Sequence, residues 1–192
     1  ARALSEGAAG APRRVVALDY RGRGLSAFDP DGRYELATEN ADILAVCDAL
    51  EVADAIVVGT SRGGLHAMLF GATRPTLLRG VVLNDVGPKI EAAGLMRIRG
   101  YVGKLPTPRD MDDARDLLRT LMQAQFPALN EADWRFFAQT TFQEREGKIV
   151  PRYDSRLART LEALDLDSPL PELWPQFEAL AHAPVLAIRG ER

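Results

Sequence analysis

Residues Gly59-Thr60-Ser61-Arg62-Gly63 set a serine between two glycines in a Gly-Xaa-Ser-Xaa-Gly spacing. Ahead of them stands Ala55-Ile56-Val57-Val58, a short apolar run of the buried parallel-strand type. Behind them Leu65, Ala67, Met68, Leu69 and Ala72 form a helical apolar face that ends near Pro75. Where a strand turns at once into a helix the two backbones nearly collide, and glycine removes the Cβ atoms that would clash. Such a turn, a nucleophile elbow, lifts the serine clear of the sheet, where its hydroxyl can reach an imidazole on one side and a substrate carbonyl on the other. The backbone N–H of Arg62 and the positive end of the following helix then face the carbonyl oxygen under attack, which is half of an oxyanion hole. Ser61 is the candidate nucleophile and Arg62 the candidate backbone donor. The pattern alone occurs by chance in many chains; its strand and helix context gives it weight.

A serine used this way needs a base and an orienting acid. The chain has 2 histidines, and neither is well placed. His66 follows Ser61 by five positions on the elbow helix, which carries it away from the serine, so it reads as a packing or helix-surface residue. His182 precedes the last predicted strand and belongs at the edge of the sheet opposite the elbow. Asp85 ends the strand after the nucleophile, on the ligand side; it is a candidate acid, or else caps the turn containing Gly87 and Pro88.

Other motifs dissolve on inspection. Gly22-Xaa-Gly24-Xaa-Xaa-Ala27 follows a predicted strand, as a dinucleotide site would, but Phe28-Asp29-Pro30-Asp31-Gly32 is a loop where that site needs a helix. The glycines read instead as a tight structural loop near a pocket rim. Two isolated histidines and one cysteine, Cys47, give no metal-ligand spacing and no intrachain disulfide. No cofactor or metal is expected, and Cys47, among Ile43, Val46 and Leu50, reads as core filler.

The elements that must position Ser61 follow from periodicity. Arg14 to Asp19 reads as a buried strand, Leu36 to Leu50 as a helix, then the strand into Ser61, its helix to about Thr73, and a strand at Gly80 to Asp85. This alternation predicts an α/β fold with a mostly parallel sheet and helices on both faces. From Gly87 the pattern becomes helical, broken by prolines, with Asp110 and Asn130 as N-caps. Most large aromatics fall there, and Trp134 and Phe137 are candidates for lining a substrate pocket, though helical spacing suits them equally to the segment's own core. Pro184 to Arg189 reads as a returning strand. The expected division is a core over residues 1–86, a helical cap over 87–170, and a return to the core over 171–192.

Composition agrees with a folded globule: 192 residues, 46% hydrophobic, with a formal net charge of -3. Charges of both signs are interspersed, so neither nucleic acid nor an anionic membrane surface is an expected partner. No apolar run approaches the about 20 residues needed to cross a bilayer, and no secretory signal is recognisable, which points to the cytoplasm. Apolar sheet edges make a homodimer possible.

Taken in order, Val16-Ala17-Leu18-Asp19-Tyr20-Arg21-Gly22-Arg23-Gly24-Leu25-Ser26, Gly59-Thr60-Ser61-Arg62-Gly63-Gly64, Val82-Leu83-Asn84-Asp85 and Pro184-Val185-Leu186-Ala187-Ile188-Arg189-Gly190-Glu191 resemble the α/β-hydrolase superfamily, in its esterase-like branch with a helical cap. The resemblance implies a cofactor-free serine hydrolase that cleaves a small carboxylic ester or lactone through an acyl-enzyme on Ser61. It also implies a triad acid just beyond Glu191, a histidine beyond Arg192, and a second oxyanion donor before Ala1; some relatives place the acid at the position of Asp85. Perhydrolysis and hydrolytic carbon–carbon cleavage use the same serine on this scaffold. A non-catalytic ligand-binding homologue is the rival of a different class.

Overall fold

A computed structural model describes residues 2–7 and 10–190. Its elements are α1 (Arg2–Ser5), α2 (Leu36–Ala49), β1 (Ala55–Thr60), α3 (Arg62–Thr73), β2 (Leu78–Asn84), α4 (Ala92–Tyr101), α5 (Met111–Met122), α6 (Glu131–Thr141), β3 (Phe142–Arg145), β4 (Lys148–Pro151), α7 (Ala158–Glu162), α8 (Trp174–Glu178) and β5 (Val185–Ile188). Strands β1, β2 and β5 form a parallel sheet in that order, as crossovers through helices require. Register sets Thr60 beside Asn84, so the strand ends that carry Ser61 and Asp85 are neighbours.

Alternation along β1 turns Val57 inward, half-buried against the first core, and Ile56 and Val58 outward. Helix α3 packs Ala67, Met68 and Phe70 against Val81 and Leu83 of β2, and Ile43 of α2, Leu77 and Leu180 complete this first core. The sheet was expected to be covered on both faces. Among the described residues one face is bare: Ile56, Val58, Leu186 and Ile188 are 46% to 58% exposed. Arg14 to Asp19, expected as a buried strand, belongs to no strand and pairs with none among the described residues, and Val16 and Leu18 lie exposed. Apolar, β-branched residues lower the cost of an extended chain, but only a hydrogen-bonded neighbour makes it a strand.

A second core gathers Ala114, Leu118 and Met122 of α5, Trp134 and Ala138 of α6, and Phe142 and Ile149 of the β3–β4 hairpin. The hairpin interrupts a segment expected to be helical. Its turn is Glu146-Gly147, both at positive φ (54° and 72°), the geometry that joins twisted antiparallel strands through two residues. Both predicted caps are present. The Asp110 side chain accepts from Asp113 N at 2.8 Å, and Asn130 accepts from Asp133 N while Asp133 accepts from Asn130 N, a closed capping box. Leu50, expected on the inner face of the second helix, is exposed, whereas Cys47 packs half-buried against the first core.

Candidate functional site

The chain enters Ser61 from β1 and leaves it into α3 with φ 48° and ψ -114°, a conformation that a residue with a side chain rarely adopts. The turn is held from both sides. Ser61 N donates to Asn84 O at 3.1 Å, and Ser61 O accepts from Gly64 N at 2.9 Å. Gly59 and Gly64 have no alternative: a Cβ on Gly59 would stand 2.4 Å from the carbonyl of Gly63, and one on Gly64 would stand 2.3 Å from Val86 Cγ1. A serine at a helix start commonly spends its hydroxyl on capping. Here the Ser61 side chain makes no capping bond, and the residue is exposed. The Arg62 N–H, the first of the helix, has no backbone acceptor among the described residues.

The Arg62 side chain turns the other way, into the protein. Its Nε donates to Glu39 Oε2, an ion pair of 2.5 Å, and its Nη2 donates to Tyr34 O at 2.8 Å. Glu39 is fully buried on α2, and Oε2 also meets His66 Nε2 at 3.2 Å. His66 Nδ1 lies 3.4 Å from Asn40 Oδ1, and its ring is 5.2 Å from that of Tyr20, whose hydroxyl stands 3.3 Å from where a Gly63 Cβ would be. Burial works against charge on Glu39, but hydrogen bonds from His66 and Arg62 outweigh it and hold the carboxyl below its usual range. Burial, reinforced by the Glu39 charge, pushes the Tyr20 phenol up. A charged layer thus packs against the elbow and fixes the Arg62 side chain, next to Ser61 in the chain.

Sequence reasoning left His66 between packing and surface; it is 1% exposed and engaged with Glu39. It missed Glu39 and Tyr20 as parts of the elbow's support. The signal was present in α2, where Glu39, Asn40 and Ile43 share the buried face, an unusual place for a carboxylate. His182 sits just before β5, its ring nitrogens 2.8 Å from Ala179 O and 3.0 Å from Pro75 O, away from Ser61 as expected. Asp85, also at positive φ (54°), is exposed, and its N–H bonds Ile188 O at 2.8 Å. Its carboxylate makes no hydrogen bond among the described residues, so the expected capping of the Gly87 turn is not formed. Trp134 is 4% exposed and stacks on Phe137 at 6.1 Å within the second core. Glu191 lies outside the described residues.

The model of the alpha/beta hydrolase family matches residues 1–191, and the chain belongs to that family. It is 30% identical over 187 residues to the 3-hydroxybutyrate-oligomer hydrolase of Cupriavidus necator, covering 92% of this chain and 62% of that protein. To the 2-hydroxymuconate semialdehyde hydrolase of Pseudomonas putida it is 32% identical over 141 residues, 72% of this chain and 49% of the relative. The chain therefore spans 62% and 49% of these relatives' lengths. Among solved structures, an alpha/beta hydrolase from Novosphingobium aromaticivorans superposes with a TM-score of 0.81 at 34% identity, covering 90% of this chain and 61% of that one. No helix among the described residues is long and apolar enough to cross a membrane.

Proposed function

We propose that this chain carries the nucleophile of a cofactor-free serine hydrolase acting on a carboxylic ester or lactone. Ser61 attacks the acyl carbon, the Arg62 N–H steadies the oxyanion, the alcohol leaves, and water releases the acid from the acyl-enzyme. The observation that carries the reading is the strained, exposed Ser61, whose hydroxyl is spent on no cap while every neighbour at the turn is fixed. Strain of this kind persists only where its surroundings over-determine it. With His66 tied to Glu39 and His182 at the far edge, the reading needs an imidazole that these 192 residues do not supply. Asp85, beside Ser61 in register and free of side-chain bonds, is the acid candidate within the chain, and residues 87–170 serve as a cap over the elbow.

The test is turnover of 4-nitrophenyl acetate and of a simple lactone by the full-length protein and its Ser61→Ala variant. The expected result is loss of about 10⁴-fold or more in kcat for the variant. Equal rates would remove Ser61 from the mechanism. Hydrolytic carbon–carbon cleavage is a second reading, favoured by the likeness to the semialdehyde hydrolase. Turnover of a vinylogous 1,5-diketone exceeding that of every ester would select it.

A further inference from the structure

Two acceptors from one short segment hold the guanidinium of Arg62, the residue after Ser61. Glu39 Oε2 takes Nε at 2.5 Å, and Tyr34 O takes Nη2 at 2.8 Å. Glu39 lies in the first turn of α2, but Tyr34 precedes the helix and belongs to no helix or strand that would fix its backbone. Its side chain does that instead. The ring is fully buried, and Gly22, at positive φ (72°), opens the slot it fills: a Cβ there would stand 2.5 Å from Tyr34 Cε1.

The hydroxyl closes the slot. It accepts from Asp29 N at 3.0 Å and donates to Asp154 Oδ2 at 2.5 Å. Burial opposes the charge of Asp154, but hydrogen bonds from Arg156 and Tyr34 bring its pKa down to about 2, so the carboxylate is ionised and only accepts. Asp154 belongs to the segment after β4, and that segment is tied to the same loop. Asp154 N donates to Gly22 O at 2.8 Å and Gly24 N to Arg152 O at 2.7 Å, while Arg156 Nη2 donates to Asp154 Oδ2 at 2.6 Å and to Asp29 O at 2.7 Å. One phenol thus joins the segment after β4, through its hydroxyl, to the Arg62 side chain, through its own carbonyl. A bond to a charged acceptor is the stronger kind, and networks of such bonds rigidify what they join.

We infer that Tyr34 is a positioning residue for the elbow: its hydroxyl, closed on Asp154, sets where its carbonyl stands, and that carbonyl, together with Glu39, holds Arg62 next to Ser61. Tyr34 has no exposed surface, so it acts through Arg62 and touches no substrate. The effect on reactivity rests on the reading of Ser61 as nucleophile; the effect on the turn does not.

The test is Tyr34→Phe in the full-length protein, which keeps the ring and removes the hydroxyl. It is read by amide hydrogen exchange over residues 57–66 and by the rate at which a fluorophosphonate labels Ser61. The amides of Ser61 and Gly64, bonded to Asn84 O and Ser61 O, should exchange about 10-fold faster, and labelling should slow about 10-fold. Met122→Ala, a cavity in the second core, should lower the melting temperature and leave both readouts unchanged. A folded Tyr34→Phe protein whose elbow exchanges no faster than that of Met122→Ala overturns the inference. Asp154→Asn, which leaves Tyr34 whole, should quicken the same amides, and the double variant should add nothing further; additive effects would reject the Asp154 link. Exchange quickened by Tyr34→Phe in a protein that takes no label keeps the positioning role and rejects the hydrolase reading.

Discussion

The two cores of this chain are held together by different means. Around α3, chain crossings are so tight that Gly59 and Gly64 admit no Cβ, two residues with side chains, Ser61 and Asp85, sit at positive φ, and a buried carboxylate is wedged between an arginine and a histidine. Around α5 and α6 the packing is ordinary: amphipathic helices, a capping box, stacked aromatics and ion pairs that ring the surface, such as Arg115 with Asp112 and Glu131. Strain and buried charge are concentrated in the first region and nearly absent from the second. Expense of that kind, confined to one turn, marks where geometry matters more than stability.

The sharpest stability effect belongs to the ordinary region. Trp134→Ala removes the largest buried side chain of the second core and should cost about 3 to 5 kcal/mol in urea unfolding. A loss below 1 kcal/mol would mean that this core does not pack as described. In the strained region, Glu39→Gln leaves Arg62 and His66 without their anion and should cost about 2 to 3 kcal/mol, discounted from a sealed pair because Arg62 is 29% exposed. Unchanged stability would make the layer packed against the elbow incidental.

The same substitution should then have opposite signs in the two regions. Gly64→Ala drives a Cβ into Val86 and should destabilise by about 1 to 3 kcal/mol. Gly94→Ala in α4 meets nothing within 4 Å and should stabilise by about 0.5 to 1 kcal/mol through lost freedom of the unfolded chain. Thermal melts of the two variants check both, and a shared sign would erase the contrast.

A pH-dependent effect lies in the seam between regions. Burial resists ionisation of Asp154, but hydrogen bonds from Arg156 and Tyr34 overcome it and lower the carboxyl from 3.8 to about 2. A depressed acid stabilises the fold above its ordinary value, and that contribution fades as pH falls from about 4 toward 2. Asp154→Asn should flatten acid unfolding over this window; an unaltered acid limb would contradict the pairing.

What the sequence made legible was whatever local chemistry determines. The elbow, the limits of α3 and the caps at Asp110 and Asn130 follow from residue types a few positions apart. What it hid depended on distant partners. Val15 to Leu18 have a strand's composition but no strand partner among the described residues, and Glu39 stands at helical spacing from Ile43 while the partners that hold it, Arg62 and His66, lie 23 and 27 residues away. The hairpin turn at Glu146-Gly147 was readable in principle, since Gly at the second turn position favours positive φ, but helix-forming neighbours masked it.

The most direct test is the intact mass of the full-length protein before and after a fluorophosphonate, with the adduct mapped by peptide sequencing. One adduct, on Ser61 and absent from Ser61→Ala, is the predicted result. A folded protein that takes up no label, or takes it at another residue, would contradict the account.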